Sequence, residues 1–251
     1  MASVVILQDT WTEEDDIELI EYLQLHFPEQ IKTLTETEIL EQTPTNMIAL
    51  FCDTSITQIV LSKIGYKVPD TYETCFKSLY KRTIQAMSFK DCREHPRPFF
   101  IKPFDNDKSF CARMIEQQRH IDFMASNVSD DTMVYVSEPV KFVNEYRLFL
   151  SNDGIRGIVN SSRFVLKDED NELYKIEPPK EFIDQIIQLN NIGFCVVDVA
   201  LTSDNQWMVV EVNPPFAISS YEWPIHDYVT YCIDALKFVN LSFAPVSNET
   251  K

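Results

Sequence analysis

The stretch VVDVALTSDNQWMVVEVNPPF, residues 196–216, decides how this chain is read. It holds two β-prone runs, 196–201 and 208–212, separated by the turn-forming cluster Ser203-Asp204-Asn205. With Asp204-Asn205 as a two-residue turn, Ser203 pairs with Gln206, Thr202 with Trp207, Leu201 with Met208, Ala200 with Val209 and Val199 with Val210. Asp198 then faces Glu211 across the ladder. Side chains alternate along a strand, so Asn213 lies on the same face as Glu211, opposite Val196. Acids and an amide thus stand where the apolar pattern calls for valine or isoleucine.

Directly opposed carboxylates, with Cβ atoms roughly 5 Å apart, destabilise a sheet unless something neutralises them. A divalent cation does so, and magnesium takes oxygen ligands, commonly one or two carboxylates completed by water and substrate phosphates. An ordinary antiparallel hairpin with one wet face accounts for the same acids, and a one-residue shift in register dissolves the pairing. These residues alone leave both readings standing.

A sequence of 251 residues, 45% hydrophobic and 24% charged, suits one large soluble domain or two smaller ones sharing a cleft. No apolar run reaches the roughly 20 residues that span a bilayer. The start MASVVILQDT lacks the basic segment and apolar length of a secretory signal, so a cytoplasmic protein is expected. Lys and Arg total 22 against 39 Asp and Glu, a net charge of −17, which argues against a broad nucleic-acid surface and leaves room for a local basic pocket. Cys52, Cys75, Cys92, Cys111, Cys195 and Cys232 show no CxxC spacing and read as reduced core thiols. His26, His95, His120 and His226 form no zinc motif.

Strands over 4–7 and 47–52 alternate with helices over 13–25 and 55–64, the second stopped by Gly65. This predicts a small α/β domain over residues 1–70, ending in the extended linker Lys67-Val68-Pro69-Asp70. Over 71–251 the pattern predicts a helix at 72–88, a strand at 99–102 limited by Pro103, and a helix at 109–126. Strands at 133–137, 142–150 and 155–160, a helix at 180–190, the hairpin and a closing helix at 225–240 follow. The second part is therefore α+β.

Within FFIKPF, Lys102 sits in a strand between apolar neighbours. A buried lysine needs an anion, whereas an edge-strand lysine merely blunts aggregation. EYRLFL places Glu145 and Arg147 on one strand face, either a working pair or a surface ion pair of little energetic worth.

Taken in chain order, the strand lysine, the extended segment VYVSEPV, the acid-x-Arg strand and the Asp…Glu-x-Asn hairpin resemble the ATP-grasp superfamily over about 72–231. The resemblance implies an ATP-grasp fold, two α+β subdomains clamping ATP, preceded by the small α/β domain. It implies that Asp198, Glu211 and Asn213 hold Mg2+, that Lys102 contacts ATP phosphates, and that the backbone of Ser137, Glu138, Pro139 and Val140 reads adenine. Glu145 would bind ribose hydroxyls and Arg147 would be a neighbouring phosphate-binding cation. Arg163 lies where several members place an arginine near the reacting acyl phosphate, and Lys81 or Arg82 would supply a further phosphate contact. Ser219, Ser220 and Tyr221, within PPFAISSYEW at 214–223, would wall an acceptor pocket or serve as plain loop residues.

One departure carries weight. Typical members cover the phosphates with a glycine-rich loop after the strand lysine, whereas this chain has four glycines in all and reads KPFDNDKSF there. Lys108 in that loop either compensates electrostatically or is simply solvated. A glycine-poor loop with an EYR strand is most similar to a divergent clade predicted to modify peptides or proteins, which includes a eukaryotic assembly chaperone for a translation initiation factor. The resemblance therefore implies an ATP- and magnesium-dependent carboxylate–amine ligase acting through an acyl phosphate on a peptide, protein or amino acid. The alternative is an ATP-binding chaperone or interaction module with little or no catalysis. A purely structural acidic protein follows only if the hairpin register is wrong.

Overall fold

A computed structural model describes residues 4–10, 17–104, 109–162, 172–216 and 218–243. Its first sheet is parallel, with Val4–Gln8 (β1) between Ile31–Leu34 (β2) and Met47–Phe51 (β3). The near-continuous apolar runs of β1 and β3 suit strands covered on both faces. Helices Ile17–His26 (α1), Glu36–Glu41 (α2) and Thr54–Ser62 (α3) belong to this part. A reciprocal cap starts α2: the Glu38 carboxylate accepts the Thr35 N–H at 2.9 Å, and the Thr35 hydroxyl accepts the Glu38 N–H at 3.3 Å. Neither β2 nor α2 is anticipated by the sequence reading.

The second sheet is antiparallel, ordered β4-β7-β5-β6, from Ile84–Ser88 (β4), Phe99–Pro103 (β5), Arg113–Ile115 (β6) and Met133–Ser137 (β7). Phe89–Cys92 (α4) and Gln118–Met124 (α5) close its core around Phe99, Ile101, Ile121 and Val134. Two expected helices give way here. In place of a helix at 72–88 stand a 3-10 turn at Thr74–Leu79 and β4, because 84–88 pair with β7. In place of a helix at 109–126, Arg113–Ile115 pair with β5 and only Gln118–Met124 is helical. Strand pairing overrides local propensity in both.

The third sheet, also antiparallel, is ordered β11-β10-β8-β9, from Phe142–Ser151 (β8), Gly154–Asn160 (β9), Cys195–Thr202 (β10) and Trp207–Asn213 (β11). Lys180–Leu189 (α6) packs on one side, burying Phe182 and Ile186 with Leu148, Val197 and Val199. The closing helix Ile225–Phe243 (α7) packs on β3, and Tyr231, Cys232 and Leu236 share one core with Val5, Leu50, Phe149 and Val196. That core crosses residue 70. No helix among the described residues is long and apolar enough to cross a membrane.

The β10–β11 hairpin differs from the simplest count in two places that cancel. Its turn holds three residues, with the Thr202 N–H donating to the Gln206 carbonyl at 2.9 Å and Asn205 in the left-handed region at φ 64°. Leu201 therefore faces Trp207, Ala200 faces Met208 and Val199 faces Val209. A bulge at Val210 then restores the count, so that Asp198 faces Glu211 and Val196 faces Asn213.

A candidate nucleotide site between two sheets

Along β5, Phe99 and Ile101 point into their own core, which turns Phe100 and Lys102 to the opposite face. There the Lys102 ammonium forms an ion pair and hydrogen bond with Glu211 of β11, joining the second sheet to the third. One strand further in, the register sets Arg147 of β8 directly beside Asp198 of β10. Arg147 Nε and Nη2 donate to the two Asp198 oxygens, each at 2.8 Å, in a buried bidentate pair. Asn213 Nδ2 bridges the acids, at 3.0 Å from Asp198 Oδ2 and 3.3 Å from Glu211 Oε1. The opposed carboxylates are thus held by the chain's own cations.

Electrostatics follow from this packing. Burial alone would lower the Lys102 ammonium, but Glu211 more than offsets it and raises it above its ordinary value. Burial would raise Glu211, yet Lys102, Asn213 and Arg147 hold it below the usual carboxylate range. Glu145 has no such compensation. Burial, and then the Asp198 and Glu211 charges, push its carboxyl up to about 8 against the weaker pull of Arg147.

Sequence reasoning identified Arg147 but not what orients it. Its Nη1 donates to the Ser219 carbonyl at 3.0 Å, and the Tyr221 ring lies 4.6 Å from its guanidinium carbon. Tyr221 reaches that position from a left-handed backbone, φ 52°, that non-glycine residues seldom adopt. Arg82 has a clear placement too: it donates to the carbonyls of Val209 at 3.0 Å and Val210 at 2.7 Å, gripping the bulge that sets the Asp198–Glu211 register. Lys81 is exposed, whereas Arg163 and Lys108 lie outside the described residues.

Two cavities meet at these side chains. One, of about 420 Å³, is lined by Ser137, Glu138, Val140 and Glu145 with Tyr72, Phe100 and Phe142. Residues 137–140 carry the chain from the second sheet to the third. The Glu138 N–H donates to the Thr83 carbonyl at 3.2 Å, its carboxylate accepts the Thr83 N–H at 2.8 Å, and Pro139 is exposed. The other cavity, of about 570 Å³, is lined by Thr54, Phe110, Cys111, Pro214, Ile218 and Ser219. Arg147, Glu211 and Tyr221 stand in both walls.

Among the described residues, no group of three or more His, Cys, Asp and Glu side chains is arranged to hold a metal. The Asp198, Glu211 and Asn213 set nevertheless has the oxygen-donor chemistry that suits magnesium, and the Lys102 ammonium stands on Glu211 where a cation would.

The architecture is that of the ATP-grasp proteins. The chain is similar to a RimK domain ATP-grasp protein from Sphaerobacter thermophilus, with TM-score 0.57 and 15% identity over 94% of this chain and 100% of that one. It is also similar to D-alanine–D-alanine ligase from Bacillus anthracis complexed with ATP, with TM-score 0.56 and 12% identity over 96% and 99%. N5-carboxyaminoimidazole ribonucleotide synthetase from Thermotoga maritima gives TM-score 0.56 and 12% identity over 98% and 77%. No protein of curated function matches the chain in sequence. The family model of an ATP-grasp domain, family 2 of its clade, matches residues 79–231, most of the chain, and the chain belongs to that ATP-grasp family.

Proposed function

We propose that the protein is an ATP- and magnesium-dependent ligase that joins a carboxylate to an amine, with an amino acid, peptide or protein as substrate. One observation carries the proposal: two cations and two carboxylates converge where two cavities share a wall, one bounded by a hinge and a buried carboxyl, the other open to a second ligand.

In this reading the 420 Å³ cavity takes the nucleoside. The Glu138 N–H is already bonded to Thr83, which leaves the Glu138 carbonyl and the Val140 N–H to meet adenine, while the Glu145 carboxyl exchanges hydrogen bonds with the ribose hydroxyls. Arg147 faces the phosphates from the shared wall and Lys102 from the adjoining wall of the 570 Å³ cavity. A substrate carboxylate oxygen attacks the γ-phosphorus, the bond to the β–γ bridging oxygen breaks, and ADP leaves. The amine then attacks the acyl carbon, loses a proton, and phosphate departs. Lys102 and Arg147 hold the charge that develops on the transferred phosphoryl group, the kind of fixed electrostatic stabilisation that dominates such reactions. Magnesium, held by Glu211 and Asn213 with Asp198, would supply further neutralisation of the phosphates.

The test is ADP release with pooled carboxylates and amines, run beside hydroxylamine capture of the acyl phosphate. Hydroxamate that forms only with ATP and a carboxylate is expected. A second reading, an ATP-binding chaperone on the same fold, is favoured by the absence of glycine from residues 102–110. Tight ATP binding with neither ADP nor hydroxamate across the whole screen would select it.

A further inference from the structure

A second feature lies on the edge of the sheet that carries Lys102. Among the described residues β6 pairs only with β5, so its outer edge has no strand partner there. The chain at 110–114 borders three cavities in succession: Phe110, Cys111 and Ala112 line the 570 Å³ cavity, Ala112, Arg113 and Met114 line an outer one of about 440 Å³, and Met114 also reaches the 420 Å³ cavity. Cavity walls thus succeed one another along 110–114, beside a strand edge that is unpaired among the described residues.

The outer cavity is also lined by α5, through Arg119, His120 and Phe123. Its chemistry runs against the rest of the molecule. In a chain of net charge −17, two arginines and a histidine gather here beside Met114 and Phe123, which are 37% and 65% exposed. Arg113 Nε rests on the Cys111 carbonyl at 3.3 Å, and the Glu116 N–H donates to His120 Nδ1 at 3.4 Å. Of the nearby acids, Asp122 accepts from Gln118 at 2.9 Å and Glu116 is exposed.

We propose that the edge of β6 docks an extended acidic segment of a partner polypeptide, which adds as a strand and runs toward the 570 Å³ cavity. In strand addition, backbone bonds give affinity and alternate side chains give specificity. Arg113, Arg119 and His120 would select acids, while Met114 and Phe123 cover an intervening apolar residue. A local basic patch on an acidic protein steers acidic partners to one place and repels them elsewhere. A nucleic acid is the less suitable occupant, because its affinity rests on many phosphate contacts and the −17 charge opposes a long polyanion. As an account of the ligase's substrate, the inference rests on the function proposed above. The docking itself is measured without nucleotide.

Fluorescence anisotropy with a labelled peptide alternating Glu and Val tests it, beside a Lys–Val counterpart, an oligodeoxythymidine and a Glu–Val peptide N-methylated at alternate residues. The acidic peptide is expected to bind roughly tenfold or more tightly than the basic one, a difference of about 1.4 kcal/mol. N-methylation should abolish binding, since it removes backbone donors and leaves the charges. R113E/R119E should lose binding by a similar factor, with ATP affinity, measured in parallel, unchanged. Equal binding of the N-methylated peptide, equal or tighter binding of the basic peptide or the oligonucleotide, or no acidic binding would each overturn the proposal. Loss of ADP formation in every acceptor screen with peptide binding intact would overturn the ligase reading instead.

Discussion

Replacing Lys102 with methionine keeps most of the apolar stem and removes the ammonium that holds Glu211. The structure makes this substitution act in opposite directions on two ligands. A triphosphate loses a charge-assisted hydrogen bond, worth about 2 kcal/mol or roughly thirty-fold in Kd. Adenosine keeps the hinge at 137–140 and Glu145, so its affinity should change less than about two-fold, the scatter of unperturbed contacts. Magnesium without nucleotide should bind more tightly to the variant, by on the order of tenfold, because Glu211 has lost its resident cation and has only Asn213 and the more distant Arg147 to offset its charge. Calorimetric titrations with MgATP, adenosine and magnesium measure all three. Equal losses for ATP and adenosine would show that Lys102 is a packing residue. Unchanged or weaker magnesium binding would show that lysine and metal do not share Glu211, and the reasoning would fail.

Asp198→Asn strips the buried Arg147 guanidinium of its bidentate partner, and a loss of about 3 kcal/mol in urea unfolding is expected, whereas a neutral or stabilising result would mean that repulsion between the acids dominates the pair. Arg82→Ala leaves the bulge carbonyls of Val209 and Val210 without their donor, costing about 2 kcal/mol and speeding amide exchange along β11; unchanged exchange there would refute the role of Arg82 as a clamp. Glu145 stays protonated in the native state up to about 8 while the unfolded chain releases that proton near 4.5, so the unfolded state binds fewer protons in that window and stability falls as pH rises through it. The full interval is worth roughly 5 kcal/mol, and Glu145→Gln should flatten the profile and be the more stable form at pH above about 8; a wild-type profile already flat there would exclude the effect.

How much of this could be read from the residues depended on how far each signal reached along the chain. The strands at 133–137 and 142–150 show themselves by continuous β-prone composition, and the Asp198–Glu211 pairing is legible from the turn cluster. The route to that pairing is not, because the three-residue turn and the Val210 bulge are each off by one and only together restore the count. Helical patterns at 72–88 and 109–126 mislead because β4 and β6 owe their form to partners elsewhere in the chain. The helix at Glu36–Glu41 carries a local signal, Thr35 and Glu38 in capping-box spacing, that the strand-and-helix periodicity does not register. Of the site, Lys102, Arg147, Asp198, Glu211 and Asn213 stand out as charges and an amide in apolar strands and come together in the structure. Arg82 and Tyr221 are legible only as a phosphate contact and a pocket wall; that one grips the bulge carbonyls and the other lies against Arg147 shows only once the backbone brings distant segments together.

Two facing carboxylates require a cation, and the structure supplies two of them from the chain itself. This alters what ligand entry demands. Lys102 cannot leave Glu211 for a phosphate without stranding a largely buried carboxylate, and a metal cannot take Glu211 without stranding the ammonium; either exchange alone uncovers a charge at a cost of several kcal/mol. Made together, the exchanges leave every charge with a partner: the ammonium gains a phosphate as the carboxylate gains a metal. Arg147 is freer to serve the phosphates from where it stands, since Nε and Nη2 hold Asp198 while Nη1 rests on a neutral carbonyl that a phosphate oxygen can replace without stranding any charge. On the proposed reading, the site would therefore accept nucleotide and metal as one unit and favour neither alone. Lys102→Met, by cutting the link between the two exchanges, should turn that joint preference into two independent ones.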